Sequence, residues 1–185
     1  TNPCNNRQYF TDNQIGSGTF GVAFKVTDES NHSYCLKRVR YSDDGMVERE
    51  VMLLAQCRHS NIVRYYDHWY DAGHLFMVME LAPQGSLMDL ISAYKKRNEY
   101  LVTAQIQSYL QQLSSALEHC HDVLGVIHRD IKPENIMFKN EKRDVSELVL
   151  IDYGLSIQRD KDKNGEYNTI TLTELRGSPG YQAPE

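Results

Sequence analysis

The hydrophobic pattern changes its period near residue 80, and that change limits the chain to a few architectures. Before it, apolar residues fall in short runs bounded by turn formers: "VAFKV" (22–26), "YCLKRV" (34–39), "IVRYYDHW" (62–69) and "LFMVMEL" (75–81). The stretches "TDESNH" and "YDAG" between them carry the Asp, Asn and Gly of tight turns. One helical segment interrupts the strands over 43–57, where Val47, Val51 and Leu54 recur at i, i+4 and i+7. After "APQGS" the spacing becomes mainly helical. "SLMDLISAYKK" reads as a short helix and 103–124 as a long one, with Ile106, Leu110, Leu113, Leu117, Cys120 and Leu124 as its apolar stripe. Thr103 is the expected N-cap and Gly125 the expected stop. Short strands are expected at 135–138 and 148–151, and a polar irregular loop over 156–176. Strands first and helices after predict an α+β chain of two lobes joined near 80–85, with residues 1–8 as a mobile lead-in.

Composition narrows the function. A net charge of -5 gives no broad basic surface for nucleic acid. No apolar run reaches the roughly 18 residues of a membrane helix, and no secretory leader is visible. Cys4, Cys35, Cys57 and Cys120 are scattered and form no CxxC pair, so reduced thiols in an intracellular, cytoplasmic setting are expected. The chain starts at Thr1 and stops inside "GSPGYQAPE", which reads as a piece of a longer protein.

Three stretches carry chemistry. "GSGTFG" (16–21) has G-x-G-x-x-G spacing, a weak motif alone. A strand, not a helix, follows it, so a glycine flap between two strands fits better than a dinucleotide fold, and no Gly-Lys-Ser/Thr of a Walker loop is present. Lys37 lies in an apolar strand and reads either as a solvent-facing lysine or as a phosphate ligand that needs a carboxylate partner. Glu50 projects from an edge of the helical stripe, whereas Glu48, about 160° round the helix, is expected to face water. "HRDIKPENIMF" (128–138) and "LIDYGLS" (150–156) together hold a carboxylate (Asp130), a cation (Lys132) and two hard oxygen donors (Asn135, Asp152). Phosphoryl transfer asks for those groups: one orients a hydroxyl, one meets developing charge, and two hold magnesium.

In that order, "IGSGTFG", "CLK", Glu50, "HRDIKPEN", "DYG" and "APE" resemble the eukaryotic protein kinase catalytic domain from about Tyr9 to Glu185. The resemblance implies a bilobal kinase-like fold, with a β-rich N-lobe (9–82) carrying one main helix and a mostly helical C-lobe (83–185) truncated after "APE". It implies ATP and Mg2+ as cofactors and protein Ser/Thr hydroxyls as acceptors. ATP would meet Ile15, Gly16, Ser17, Gly18, Thr19, Phe20, Gly21 and Ala23, then Met79 as gatekeeper with Glu80 and Ala82 in the hinge. Lys37 would bind phosphates and pair with Glu50, Asp130 would be the catalytic base, and Asn135 and Asp152 the metal ligands. Lys132 and Ser178 are the marks of serine/threonine specificity. Subfamily features are mixed between calcium/calmodulin-regulated, NIMA-related and initiation-factor-2 kinases.

Three departures from that pattern stand out. Ala23 replaces the usual valine over adenine, Tyr153 replaces phenylalanine and needs a hydroxyl partner if buried, and the helices after "APE" are absent. The last departure predicts a weakly active piece. Thr169, Thr171 and Thr173 are candidate regulatory phosphorylation sites, and Glu174 is expected to stand in for a phosphate and pair with Arg129. The alternatives are a pseudokinase that acts as a binding module and a kinase-fold enzyme for small molecules.

Overall fold

The computed structural model describes residues 2–18, 21–41, 45–140, 147–169 and 176–182. The chain divides into two units, one of residues 1–56 and 63–81 and the other of residues 57–62 and 82–185.

The first unit is a five-stranded antiparallel sheet and a helix. Its strands are β1 (Tyr9–Gly18), β2 (Gly21–Asp28), β3 (Ser33–Arg40), β4 (Tyr65–Asp71) and β5 (His74–Glu80), ordered β1-β2-β3-β5-β4. Ala72 and Gly73 join β4 to β5 with φ of 45° and 73°, the left-handed pair that a two-residue hairpin requires. Alternation sends Val26, Leu36, Trp69 and Val78 to one core, with Tyr9, Phe24, Tyr34 and Phe76 packed around it. The Trp69 ring stacks between Phe76 (5.2 Å) and Tyr9 (5.7 Å). Tyr9 and Trp69 belong to the two edge strands, so the sheet twists until its ends meet.

The helix α1 (Met46–Gln56) buries Val47, Glu50, Val51 and Leu54 along one face. Glu48 does not simply face water as expected. It is half-buried, and its Oε2 is shielded from solvent with no hydrogen-bond partner among the described residues. The lead-in is also tied down. Asn2 is buried and its Nδ2 donates to Asp67 Oδ2 at 2.8 Å, while Asn5 Nδ2 and the Tyr9 hydroxyl donate to the same oxygen. Sequence reading missed this because Asp67 lies over 50 residues away, on β4.

The second unit holds α2 (Leu87–Lys96) and α3 (Thr103–Glu118) with short strands. A reciprocal cap starts α2: Ser86 Oγ accepts from the Asp89 N–H, and Asp89 Oδ2 accepts from the Ser86 N–H at 2.7 Å. For α3 the N-cap is Val102, one residue before the expected Thr103. Gln105 compensates by turning back to accept the Val102 N–H at 3.2 Å. The buried face of α3 is Gln105, Tyr109 and Ala116, leading to Cys120, so the helix is rotated from the expected stripe. Ile106 and Leu110 remain exposed. Gln105 is buried because its side chain closes the cap, which is why apolar spacing misplaced the face. A π-turn over His119–Val123 ends the helix, and Gly125 follows with φ 66°, as expected of the stop.

Beyond it, β6 (Val126–Ile127) pairs with β9 (Ile157–Gln158), and β7 (Ile136–Phe138) pairs with β8 (Leu148–Leu150). The expected loop after 156 is thus partly ordered. The Asp160–Asn168 stretch folds back on itself, and the Tyr167 hydroxyl donates to the Val123 carbonyl. Residues 57–62 belong to this unit. Asn61 Nδ2 donates to the Leu148 carbonyl and to Gln112 Oε1, and Ile62 bridges to Leu150. Consequently β4 begins at Tyr65 and not at 62. Among the described residues, no helix is long and apolar enough to cross a membrane.

Candidate active site

In the first unit, register sets one row of residues across the sheet. Gly16 faces Ala23, Ala23 faces Lys37, and Lys37 faces Met77. Cross-strand partners share a face, so Ala23 and Lys37 project together on the side opposite the Val26 core. Lys37 Nζ meets Glu50 Oε1 at 2.7 Å, with both side chains largely buried. A charge removed from water needs such a partner, and this pairing rules out a solvent-facing Lys37. The flap residues Ser17 and Gly18 pair with Val22 and Gly21. A Cβ on Gly21 would stand 2.3 Å from the Arg38 carbonyl oxygen, so only glycine fits. Gly18 has open space around it, and Ile15 is 47% exposed. Thr19 and Phe20 lie outside the described residues. Met79 is buried between Cys35 and Tyr65 in the sheet, and the Glu80 N–H donates to the Arg64 carbonyl.

In the second unit three polar side chains and one backbone N–H converge on one carboxylate. Asp130 Oδ1 accepts from Ser178 Oγ (2.7 Å) and from the Ser178 N–H (3.1 Å). Its Oδ2 accepts from Lys132 Nζ (2.9 Å) and Asn135 Nδ2 (3.0 Å). Lys132 Nζ also donates to Ser178 Oγ at 2.6 Å. Burial pushes the Asp130 pKa up, but the bonds from Lys132, Ser178 and Asn135 outweigh it and hold the carboxyl below its usual range. Ser178 reaches this place because Gly177 takes φ 118°. A Cβ there would stand 2.6 Å from the Arg129 carbonyl oxygen.

Buried bonds hold this backbone. His128 Nε2 meets the Ile151 carbonyl at 3.0 Å, and His128 Nδ1 accepts the Asp130 N–H at 3.2 Å. Those two bonds require a neutral imidazole with its proton on Nε2. Burial lowers the His128 pKa, in keeping with that form. The Ile151 N–H donates to the Asn135 carbonyl, which fixes the residue before Asp152. Asp152 has φ 63° and Arg129 φ 65°, a left-handed conformation that costs energy for both. Both Asn135 bonds use its amide nitrogen, to the Asp130 carbonyl and carboxylate, and its Oδ1 takes none among the described residues. A hard oxygen left in that way fits a magnesium ligand.

Tyr153 is buried against His128 (ring centroids 4.6 Å) and its hydroxyl finds Cys120 Sγ at 3.5 Å, the partner its burial required. Arg129 Nε donates to the Leu155 carbonyl at 2.7 Å. The expected Glu174 partner of Arg129 lies outside the described residues, as do Thr171, Thr173 and the "APE" end. Thr169 is exposed, and Ala82 is buried within the second unit. Sequence reading did not find the supporting acceptors, the carbonyls of Ile151 and Leu155, because backbone groups leave no mark in residue identity.

Comparison with known proteins agrees with this chemistry. A family profile described as the protein kinase domain matches residues 9–185. The chain is 34% identical over 186 residues to "Mitogen-activated protein kinase kinase kinase 1b" of Physcomitrium patens, covering 96% of this chain and 22% of that protein. It is 30% identical over 173 residues to "Probable serine/threonine-protein kinase zyg-1" of Caenorhabditis briggsae, covering 93% of this chain and 23% of that one. The chain therefore spans under a quarter of the length of either relative.

Proposed function

This chain belongs to the protein kinase domain family, serine/threonine type, and from that premise we propose that it transfers the γ-phosphoryl group of ATP to serine or threonine hydroxyls of proteins. The observation that carries this reading is the Asp130 carboxylate held by Lys132, Asn135 and Ser178. Residues 9–82 form the nucleotide-binding lobe, residues 83–185 belong to the catalytic lobe, and 1–8 lead in. Bound ATP with a divalent cation supplies the electrophilic phosphorus and neutralises its negative charge. Ile15 to Gly21 and Ala23 cover the nucleotide, Met79, Glu80 and Ala82 meet its base, and Lys37, fixed by Glu50, holds its phosphates. Asn135 and Asp152 hold magnesium. The protein works in the intracellular compartment.

Asp130 orients the acceptor hydroxyl and takes its proton. A carboxylate offers about four acceptor directions, and here all four are taken: two on Oδ1 by Ser178, and two on Oδ2 by Lys132 and Asn135. An incoming hydroxyl must displace one donor. Lys132 is the one to leave, since its flexible stem lets Nζ turn from Oδ2 toward the transferred group. Lys132 therefore acts twice: it keeps Asp130 ionised beforehand and meets developing charge afterwards.

The test is magnesium-dependent transfer from ATP to a Ser/Thr peptide library by the full-length protein and its Asp130→Asn form. Loss of a positioned base should lower the rate by roughly 10²–10⁴-fold. Transfer unchanged by the substitution would sink the mechanism.

A further inference from the structure

Residues 159–168 carry a reactive pair outside the phosphoryl-transfer site. Asn164 is the only asparagine of this chain that precedes a glycine. Such a pair can cyclise without an enzyme. The Gly165 nitrogen loses its proton and attacks Asn164 Cγ. A C–N bond forms there, and the side-chain nitrogen takes up a proton and leaves as ammonia. The succinimide that remains is then opened by water. Attack at its side-chain carbonyl gives aspartate, and attack at its main-chain carbonyl gives isoaspartate. Water enters, ammonia leaves, and nothing is oxidised or reduced.

The fold leaves this pair open to the attack. Both residues are exposed, and a Cβ built on Gly165 would meet nothing within 4 Å, so no neighbour crowds the closing ring. The Asn164 amide is loosely held: its Nδ2 lies 3.5 Å from Asp162 Oδ2, beyond the usual range of a hydrogen bond. Other asparagines are fixed. Asn61 Nδ2 donates to Gln112 and to the Leu148 carbonyl, and Asn135 Nδ2 donates twice to Asp130. Each of those two is also followed by isoleucine, whose branched side chain hinders the same ring. One restraint acts on Asn164. The Gly165 N–H donates to the Asp162 carbonyl at 3.1 Å, so the turn must open before that proton can leave. A solvent-exposed turn opens at small cost.

Conversion would act on the turn itself. The N–H groups of Asn164 and Glu166 both donate to Asp162 Oδ1, at 2.8 and 2.9 Å, and the Asp162 N–H donates to the Glu166 carbonyl at 2.7 Å. This turn presents Tyr167. Arg159 and Lys161 lie over the Tyr167 ring, its hydroxyl donates to the Val123 carbonyl, and the ring leaves no room for a Cβ on Gly125. We propose that Asn164–Gly165 is a self-modifying site, converted by water alone to aspartate and isoaspartate, and that the conversion loosens the hold of Tyr167 on the end of α3. Both products add a negative charge beside Asp162 and Glu166. Isoaspartate also lengthens the main chain by one carbon, so the N–H groups of 164, 165 and 166 can no longer all reach Asp162. None of this depends on the phosphoryl-transfer reading.

The experiment ages the full-length protein in warm, mildly alkaline buffer and follows each asparagine by mass spectrometry of its peptides. Isoaspartate is counted by methyl labelling with an isoaspartyl methyltransferase. Asn164 should convert at least about tenfold faster than the exposed Asn31 and Asn98. Brief trypsin treatment of the folded protein should cut after Lys161 and Lys163 more readily once it has aged. Asn164→Gln, which can close only a slower six-membered ring, should neither convert nor gain cleavage on ageing. Conversion of Asn164 no faster than of Asn31 and Asn98, conversion without added cleavage, or an equal gain of cleavage in Asn164→Gln would each overturn the assignment.

Discussion

Ser178 holds one oxygen of Asp130 with two hydrogen bonds, from its hydroxyl at 2.7 Å and from its backbone N–H at 3.1 Å. The backbone bond survives any side-chain change, so substitution at this position isolates the hydroxyl. Ser178→Ala should lower the transfer rate by roughly 10–100-fold, the worth of one hydrogen bond to a charged group. That bond also lowers the Asp130 pKa. Its loss should move the acidic limb of the pH–rate profile to higher pH, and Ser178→Thr should restore both. An unshifted limb in the alanine form would mean that Ser178 does not act on Asp130.

Lys37 and Glu50 form a pair largely removed from water. Lys37→Met strands the Glu50 carboxylate and should cost roughly 3–5 kcal/mol in denaturant unfolding. Lys37→Met with Glu50→Leu should recover most of that stability, since two apolar groups need no partner. Neither variant should transfer phosphate. The double variant thus separates the pair's place in the fold from its place in the reaction.

Tyr153→Phe removes the hydroxyl that meets Cys120 Sγ. A thiol is a weak partner and loses little when left alone, so unfolding free energy should change by less than about 1 kcal/mol. The ring stays against His128, and activity should stay near that of the parent. A large loss of rate would show that the hydroxyl does more than satisfy its own burial.

His128 makes stability depend on pH in one direction. Burial lowers its pKa below the ordinary 6.5. Above 6.5 both folded and unfolded chains carry it neutral, and it contributes no slope. Below 6.5 the unfolded chain takes a proton that the folded chain refuses, so its contribution falls as pH falls, until the folded pKa is passed. The slope should reach at most about 1.4 kcal/mol per pH unit. Chemical unfolding of the parent and His128→Gln between about pH 7.5 and 5.5 should show a shallower dependence in the variant.

The sequence spoke more clearly of its polar groups than of its packing. The pairing of Lys37 with Glu50 was legible because a lysine in an apolar strand needs a carboxylate partner. The apolar runs at 22–26 and 34–39 fall within β2 and β3 because those strands feed one core face. The helix α3 misled because Gln105, a polar residue, is buried to close its own cap, while Ile106 and Leu110 stay exposed. Asn2 misled for a related reason: a short polar stretch carries no mark of an acceptor as distant as Asp67. Polar residues buried through specific hydrogen bonds escape any argument from hydrophobic period.

The six residues 57–62 belong to the second unit although residues of the first flank them on both sides. During synthesis Asn61 emerges 87 residues ahead of Leu148, the carbonyl it must reach. Until then α1 and β4 are joined by a connector whose docking partner has not yet been translated. The first unit cannot be excised as one continuous segment without carrying an unfinished piece of the second.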